Sequence, residues 1–224
     1  MDNNPSRLSG LRIKLLLLFA IVPVAVAYYV TRPDPGLTQL QLSRDAVHKA
    51  RSWHSHEVAK GPGDMITHEE TKDVVCPSKN RSDYRIETSF QRPDALRYGQ
   101  AQHSKIDMSI GGVHYSRIDD GPWDSYVGGI FLQDCNGMPI VHDSKLYFDA
   151  DMVIATGKMK RIGRLRVDSE SCTEWEVSWD RTTPRYTVCI NEADHLPRRI
   201  TLDSGRWTMD FSAWNTPPSL VPPI

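Results

Sequence analysis

The feature that most constrains the fold is a repeated alternation of apolar and polar residues with a period of two. Tyr84, Ile86, Thr88 and Phe90 alternate with Arg85, Glu87, Ser89 and Gln91. Successive side chains of a β-strand point to opposite faces of a sheet, so this pattern predicts a strand with one buried face. The pattern recurs around Ile106, Met108 and Ile110; Trp175, Val177 and Trp179; Val188 and Ile190; Ile200 and Leu202; Trp207, Met209 and Phe211. The sequence therefore predicts a mainly β fold, a single curved antiparallel sheet with one solvated face.

Turn-forming sequences separate these segments at the intervals of an antiparallel meander. They stand at 61–64, 111–112, 119–122 and 191–197. Residues 54–60 and 65–76 are polar on both sides, which is compatible with edge strands or with a solvated ribbon. Residues 125–159 show no sustained period and are rich in glycine. We expect them to form a long, partly helical lid, with a short helix at about Lys145 to Val153.

One amphipathic helix is predicted over Arg44 to Arg51. Ser43 precedes it and has a side chain suited to capping a helix N-terminus. Its apolar residues follow at helical spacing: Ala46, Val47 and Ala50. Residues 31–42, which begin with two prolines and a glycine, are expected to form a linker. A domain over residues 43–224 would follow.

An uncharged apolar run over residues 15–30 follows three basic residues near the N-terminus. As a helix it would span roughly 24 Å, somewhat less than a bilayer core of about 30 Å. Ala25 and Ala27 fit a signal-peptidase site, whereas Tyr28 and Tyr29 fit an interfacial aromatic belt. Residues 1–30 are therefore either an export signal or a transmembrane anchor. We expect a periplasmic protein, held at the inner membrane if the segment is retained.

Four cysteines in an exported chain favour two disulfides, for which three connectivities exist. A hairpin that turns near Asp180 and Arg181 would set Cys172 opposite Cys189, on the face away from Trp175. Cys76 and Cys135 would then pair by elimination.

Several classes of function lack support in the sequence. The 27 basic and 28 acidic residues give a net charge of -1, which does not favour nucleic acid as a partner. His54 and His56 have no third ligand nearby, so no metal site is predicted. No nucleophile motif, phosphate-binding loop or paired catalytic carboxylate is recognisable, and we expect neither a cofactor nor an enzyme.

Four short motifs carry a resemblance to a known family. They are DDGPW at 119–123, CTEW at 172–175, YTVCI at 186–190 with LPRR at 196–199, and FSAWNTPP at 211–218. Together with the order of elements, they resemble the LolA/LolB/LppX-like periplasmic carriers of lipoproteins and lipids. The resemblance implies an unclosed β-barrel that holds lipid against its concave face beneath helices.

The predicted apolar face is larger than the predicted helix can cover, which favours a binding site for lipid or for an acylated protein. The expected lining residues are Phe90, Met108, Trp175, Val177, Trp179, Val188, Ile190, Met209 and Phe211. The main expectation is thus a non-enzymatic, membrane-tethered carrier or sensor of acyl chains. The alternative is an interaction module whose core is filled by its own side chains and which acts through a protein partner.

Overall fold

The computed structural model describes residues 34–78, 81–90, 103–127, 153–155, 157–178, 186–202 and 205–223. Within these ranges the chain forms one long helix, α1 (Pro35–Val47), and a 3₁₀ turn at Pro62–Asp64. The strands are β1 (Ser52–Lys60), β2 (Ile66–Ser78), β3 (Arg81–Phe90), β4 (His103–Ile110), β5 (Val113–Ile118), β6 (Asp124–Val127), β7 (Lys158–Val167), β8 (Glu170–Ser178), β9 (Tyr186–Ile190), β10 (Pro197–Leu202) and β11 (Trp207–Ser212).

The eleven strands form one antiparallel sheet, so the predicted fold class is confirmed. Their order is β6-β5-β4-β3-β2-β1-β11-β10-β9-β8-β7. The sheet is thus two meanders, β1 to β6 and β7 to β11, joined where β1 pairs with β11. Strands β6 and β7 occupy the two opposite ends of this order, and the sheet is not closed into a barrel.

The N-terminal helix is present but begins earlier than predicted. It spans Pro35–Val47 rather than Arg44 to Arg51, so residues 35–42 are helical and not a linker. Proline is tolerated in the first turn of a helix because its missing N–H has no partner there in any case. The buried residues of α1 are spaced by four, three and four positions: Gly36, Leu40, Ser43 and Val47. This spacing gives the helix one face directed at the sheet.

Strands β1 and β2 are neither edge strands nor a separate ribbon, contrary to the sequence-based expectation. Strand β1 lies at the middle of the sheet, between β2 and β11, and β2 lies next to it. Their polar composition on both faces resembled that of a solvated strand. Strands β5 and β7 were not predicted, although residues 113–116 and 164–167 alternate between apolar and polar side chains.

One face of the sheet packs against α1, and we call it the inner face. Leu40 and Val47 of α1 share a buried cluster with Trp53, Val177 and Phe211 from the sheet. The helix lies against β7 and β9. The core is therefore concentrated on the inner face of β1 and of β7 to β11.

The expected lid falls largely outside the described residues. Residues 153–155 are helical, whereas the remainder of the predicted helix at 145–153 is not described. The apolar run at 15–30 also lies outside them. Across the ranges given above, the structure contains no helix that is long and apolar enough to cross a membrane.

Candidate ligand-binding face

Six of the expected lining residues lie together on the inner face. The side chains of Trp175, Val177, Val188, Ile190, Met209 and Phe211 are each at most 8 % exposed. They belong to the same cluster as Leu40 and Val47 of α1. Glu174, Glu176 and Thr187, which alternate with them, are half-buried. The structure thus brings these apolar side chains together beneath a single helix.

Met108 does not belong to this face. Strand register pairs Met108 with Arg85 and Tyr115, whereas the inner residue Tyr84 is paired with Ser109. Directly opposed residues of an antiparallel pair share a face, so Met108 is on the outer face, where it is 5 % exposed. The alternation of β4 showed which residues share a face, but not which of its faces is the inner one. The side chain of Phe90 and the whole of Trp179 lie outside the described residues.

The inner face changes character from one meander to the other. On β2 to β5 the residues in register with the inner side of β1 are mostly polar. This polar half comprises His68, Glu70, Lys72, Thr88, Lys105, Asp107, His114 and Ser116. We call the rest of the inner face the apolar half; it covers β1 and β7 to β11 and includes Val74 of β2 with Tyr84 and Ile86 of β3. The inner face is therefore amphipathic across the strands.

Glu57 lies where the two halves of the inner face meet. Its Oε1 accepts a hydrogen bond from Nε1 of Trp207 at 2.7 Å. Nε2 of His68 lies 3.7 Å from that same carboxylate oxygen and 4.0 Å from Oε2 of Glu70. Thr88 donates a hydrogen bond to Oε2 of Glu70 at 3.3 Å. These side chains are partly exposed, so both carboxylates and the imidazole are accessible to a polar ligand.

A second polar group lies farther along the same face. Asp107 forms an ion pair with Lys105, with 2.8 Å between Oδ2 and Nζ. Nε2 of His114 lies 3.5 Å from Oδ1 of the same carboxylate. The hydroxyl of Tyr84 lies 3.5 Å from Nδ1 of His114. The polar half thus presents both positive and negative groups, a combination suited to a zwitterionic or hydrogen-bonding ligand.

Two buried polar groups on the inner side of the domain have no partner among the described residues. They are the hydroxyl of Ser43, on the buried side of α1, and Nε1 of Trp53 on β1. The side chains are 0 % and 1 % exposed, respectively. Leaving a buried donor unsatisfied costs about 1–3 kcal/mol, so both positions favour a hydrogen-bond acceptor.

Metal chemistry finds no support in the described part of the chain, where no three His, Cys, Asp or Glu side chains are placed to hold an ion together. His54 and His56, which the sequence analysis considered, are on the outer face of β1. Each pairs with a carboxylate of β2, namely Asp73 at 2.9 Å and Glu69 at 2.8 Å. Their role in this structure is to connect the two central strands.

The disulfide between Cys172 and Cys189 is present, as predicted. The strand register differs from the expected one by two residues, because Cys189 is opposite Glu174 and not opposite Cys172. The two Cα atoms are nevertheless 5.4 Å apart, within the usual range for a disulfide. Both cysteines are on the outer face, with Val167 and Leu165. Cys76 is also disulfide-bonded, and its expected partner Cys135 lies outside the described residues.

Sequence reasoning missed the polar half of the inner face. The signal was present in β1 and β2, where Glu57, His68 and Glu70 make both faces polar. A polar residue at an inner position was taken as evidence for solvent exposure on both sides. Only the strand order shows that these residues continue the face occupied by the core.

The fold matches known proteins, although the sequence matches neither a family model nor a curated protein. LprF from Mycobacterium bovis aligns with 85% of this chain and 98% of its own, with a TM-score of 0.59 and 14% identity. MucB, of which a Pseudomonas aeruginosa complex with MucA is also known, aligns with 82% of this chain and 60% of its own, at a TM-score of 0.38 and 14% identity. A putative outer membrane lipoprotein-sorting protein domain from Vibrio parahaemolyticus aligns with 82% of this chain and 94% of its own, at a TM-score of 0.28 and 10% identity. The similarity to LprF is one of fold, and the expected LolA/LppX-like fold is confirmed.

Proposed function

We propose that this chain is an exported, non-enzymatic carrier or sensor of an amphiphile, which is either a lipid or the acyl chains of a lipoprotein. One observation carries the proposal: the inner face of the sheet is divided into an apolar half under α1 and a polar half on β2 to β5. An amphiphile has the same division. Its acyl chain would occupy the apolar half, and its head group would lie over Glu57, His68 and Asp107.

The unpartnered groups of Ser43 and Trp53 support this placement. An indole N–H can only donate a hydrogen bond, and a serine hydroxyl can donate one as well. The ester or amide carbonyl that joins an acyl chain to its head group accepts hydrogen bonds. A carbonyl bound beside either group would therefore satisfy a donor that the described side chains leave unsatisfied.

The free energy gained by burying apolar groups favours replacement of α1 by an acyl chain on part of the apolar half. The helix contributes two buried aliphatic side chains to the core, Leu40 and Val47, and Leu37 packs against it partly buried. Burial of these three side chains stabilises the packed helix by roughly 4–8 kcal/mol, whereas burial of about 14 methylenes would contribute about 11 kcal/mol. An acyl chain can therefore displace α1 from part of the apolar half. Retention of the apolar run at residues 15–30 would keep such a carrier at the inner membrane.

Native mass spectrometry of the full chain purified from membranes tests the proposal. We expect a co-purifying lipid in the wild-type protein. The variant Ile86→Lys places a charge on the inner face, where Ile86 packs at the border of the core. It should reduce the retained lipid at least about tenfold, because a charged side chain at the border of the apolar half makes burial of an acyl chain beside it costly.

Ile106→Lys is the matched control. Ile106 is also half-buried and lies on the neighbouring strand, but it is on the outer face, opposite Glu87 and Arg117. This variant should retain lipid at the wild-type level. If both variants fold, by circular dichroism, and carry equal amounts of lipid, the inner face is not the binding site.

A second function is favoured by a different observation. The six described lining residues are already buried by side chains of the protein itself. The chain would then be an interaction module with a filled core that acts through a protein partner. Wild-type protein that folds and carries no lipid in the same experiment would exclude the carrier and support this module.

A further inference from the structure

The edge strand β7 carries a concentrated positive charge. Its sequence is KMKRIGRLRV, with five cations in ten residues and no acidic residue. All five are exposed, and we call them the basic edge: Lys158, Lys160, Arg161, Arg164 and Arg166. Among the described strands, β7 pairs with β8 alone and stands at one end of the strand order. Its exposed side chains can therefore reach a partner that approaches this edge.

Few described carboxylates neutralise the basic edge. Glu192 lies 3.9 Å from Arg161 and 3.4 Å from Arg164. A hydrogen bond from Thr173, followed by the charges of Arg164 and Arg161, lowers the pKa of Glu192, so this residue remains ionised. Lys158 and Lys160 make no ion pair within the described ranges of the chain. A substantial positive charge therefore remains on this edge.

An exposed apolar residue lies in the middle of the basic edge. The register of β7 against β8 shifts between Arg161 and Gly163, so Ile162 is at a bulge. Its side chain is 45 % exposed. A bulge redirects side chains at the edge of a sheet. An apolar side chain among cations is the combination by which peripheral proteins bind the interface of an anionic bilayer.

The position of β7 relative to the N-terminus is also relevant. Strand β7 lies against α1, which begins at Pro35. Only four residues separate Pro35 from Val30, the last residue of the apolar run. The five steps from Val30 to Pro35 therefore span at most about 18 Å. If the apolar run is retained in a bilayer, this short connection tethers the start of α1 to it.

We propose that the basic edge and Ile162 form a docking surface for the anionic head groups of a membrane. The phosphate groups would pair with the five cations, and Ile162 would enter the interface. Each cation near an anionic surface strengthens binding about fivefold. The proposal concerns the orientation of the domain at the membrane, and it does not depend on the binding of an acyl chain to the inner face.

Chemical acylation of lysines in the full chain tests the proposal. The protein is reconstituted in nanodiscs of either phosphatidylglycerol with phosphatidylcholine or phosphatidylcholine alone, and the rate at each lysine is measured by mass spectrometry. Lys158 and Lys160 should react several-fold more slowly on the anionic bilayer. Lys60, an exposed lysine at the end of β1, is the internal control and should react equally on both. The protection should disappear at 1 M salt, where electrostatic screening acts within about 3 Å.

A variant tests whether Lys158 and Lys160 themselves hold β7 at the bilayer. The double variant Lys158→Gln with Lys160→Gln should weaken the salt-sensitive protection of the β7 backbone amides against hydrogen exchange on anionic nanodiscs. Equal lysine reactivity of the wild-type protein on both bilayers would overturn the proposal. Protection of Lys158 and Lys160 by a polyglutamate peptide but not by anionic lipid would also overturn it, and would identify an acidic protein segment as the partner.

Discussion

At the scale of single residues, Arg198 is a buried cation that forms ion pairs with two carboxylates. Its side chain is 4 % exposed, in the first half of β10. Nη2 lies 2.6 Å from Asp194, and Nε donates a hydrogen bond to Glu170 at 2.6 Å. The two carboxylates are about half exposed, so they remain hydrated when the arginine is absent. The cost of removing the arginine is then mainly that of its own hydrogen bonds.

We expect Arg198→Met to lower the free energy of unfolding by about 2 kcal/mol, because charge-assisted hydrogen bonds contribute roughly 1.5–3 kcal/mol each and the apolar replacement recovers part of this. Urea denaturation measures the change. Arg51→Met is the control, because Arg51 is exposed and should change stability by less than about 0.5 kcal/mol. Equal effects of both substitutions would show that the ion pairs of Arg198 contribute nothing.

Asp119 provides a prediction on pH dependence. The backbone N–H of Ser104 donates to its Oδ1 at 2.8 Å, and His103 lies 3.0 Å from Oδ2. The hydrogen bond from Ser104, and then that with His103, lowers the pKa of Asp119. A carboxyl group whose pKa is lower in the folded state stabilises the fold above its unfolded pKa of about 4, and this contribution is lost as the pH falls through the folded pKa.

Asp119→Asn should therefore destabilise the protein at neutral pH, and its difference from the wild type should vanish in strong acid. Asparagine tolerates the positive φ of 50° at this position, so the substitution mainly removes the charge. Urea midpoints measured between neutral pH and pH about 2 test this. Asp120→Asn, at the exposed neighbouring position, is the control and should change the urea midpoint at neutral pH only slightly.

At the scale of elements, α1 predicts a contrast between two leucines of the same helix. Leu40 is fully buried against the inner face, whereas Leu42 is 39 % exposed. We expect Leu40→Ala to lower the free energy of unfolding by about 2–5 kcal/mol and Leu42→Ala by less than about 1 kcal/mol. Thermal and urea unfolding would measure both. Similar effects at the two positions would contradict the packing of α1 and favour the later helix that the sequence alone suggested.

The disulfide of the β8–β9 hairpin should contribute to the free energy of unfolding. Cys172 and Cys189 are 17 residues apart in sequence, and both are buried. In the chain-entropy model a loop of this size stabilises the fold by about 3 kcal/mol. The double variant Cys172→Ala with Cys189→Ala should therefore lose about that amount of unfolding free energy, measured without reductant. A loss well below about 1 kcal/mol would mean that the unfolded chain is already restricted here.

The sequence predicts strands where one face is buried and the other is solvated. Strands β3, β4, β8, β9, β10 and β11 were found on this basis, and the pairing of Cys172 with Cys189 followed from their parity. The start of α1 was missed because Pro35-Gly36 is also typical of a linker. The register of the hairpin was missed by two residues, since parity is unchanged by a shift of two.

At the scale of the whole molecule, the strand order predicts a gradient of protection against hydrogen exchange. The backbone of β1 is hydrogen-bonded to β2 on one side and to β11 on the other. Strand β6 is short, fully exposed, and paired with β5 alone within the described residues. Amides of β1 should therefore exchange most slowly and those of β6 fastest, as measured by mass spectrometry of the full chain. Faster exchange in β1 than in β6 would contradict the strand order.

The division of the inner face into two halves could not be predicted from the sequence. It depends on which face of each strand is turned to α1, and this is set by the register between strands from distant parts of the chain. Met108 and Tyr84 illustrate the point. Both belong to alternating segments, yet β3 turns Tyr84 inward while β4 turns Met108 outward.

The pairing of β1 with β11 has a consequence for folding during synthesis. These two strands come from opposite ends of the domain, so the centre of the sheet cannot form until the last strand has been synthesised. Such non-local pairing is typical of proteins that fold in milliseconds to seconds. Until then β1 is an open edge, and unpaired edges invite aggregation. Its charged and imidazole side chains, such as His54, His56 and Glu57, would protect the nascent chain during that interval.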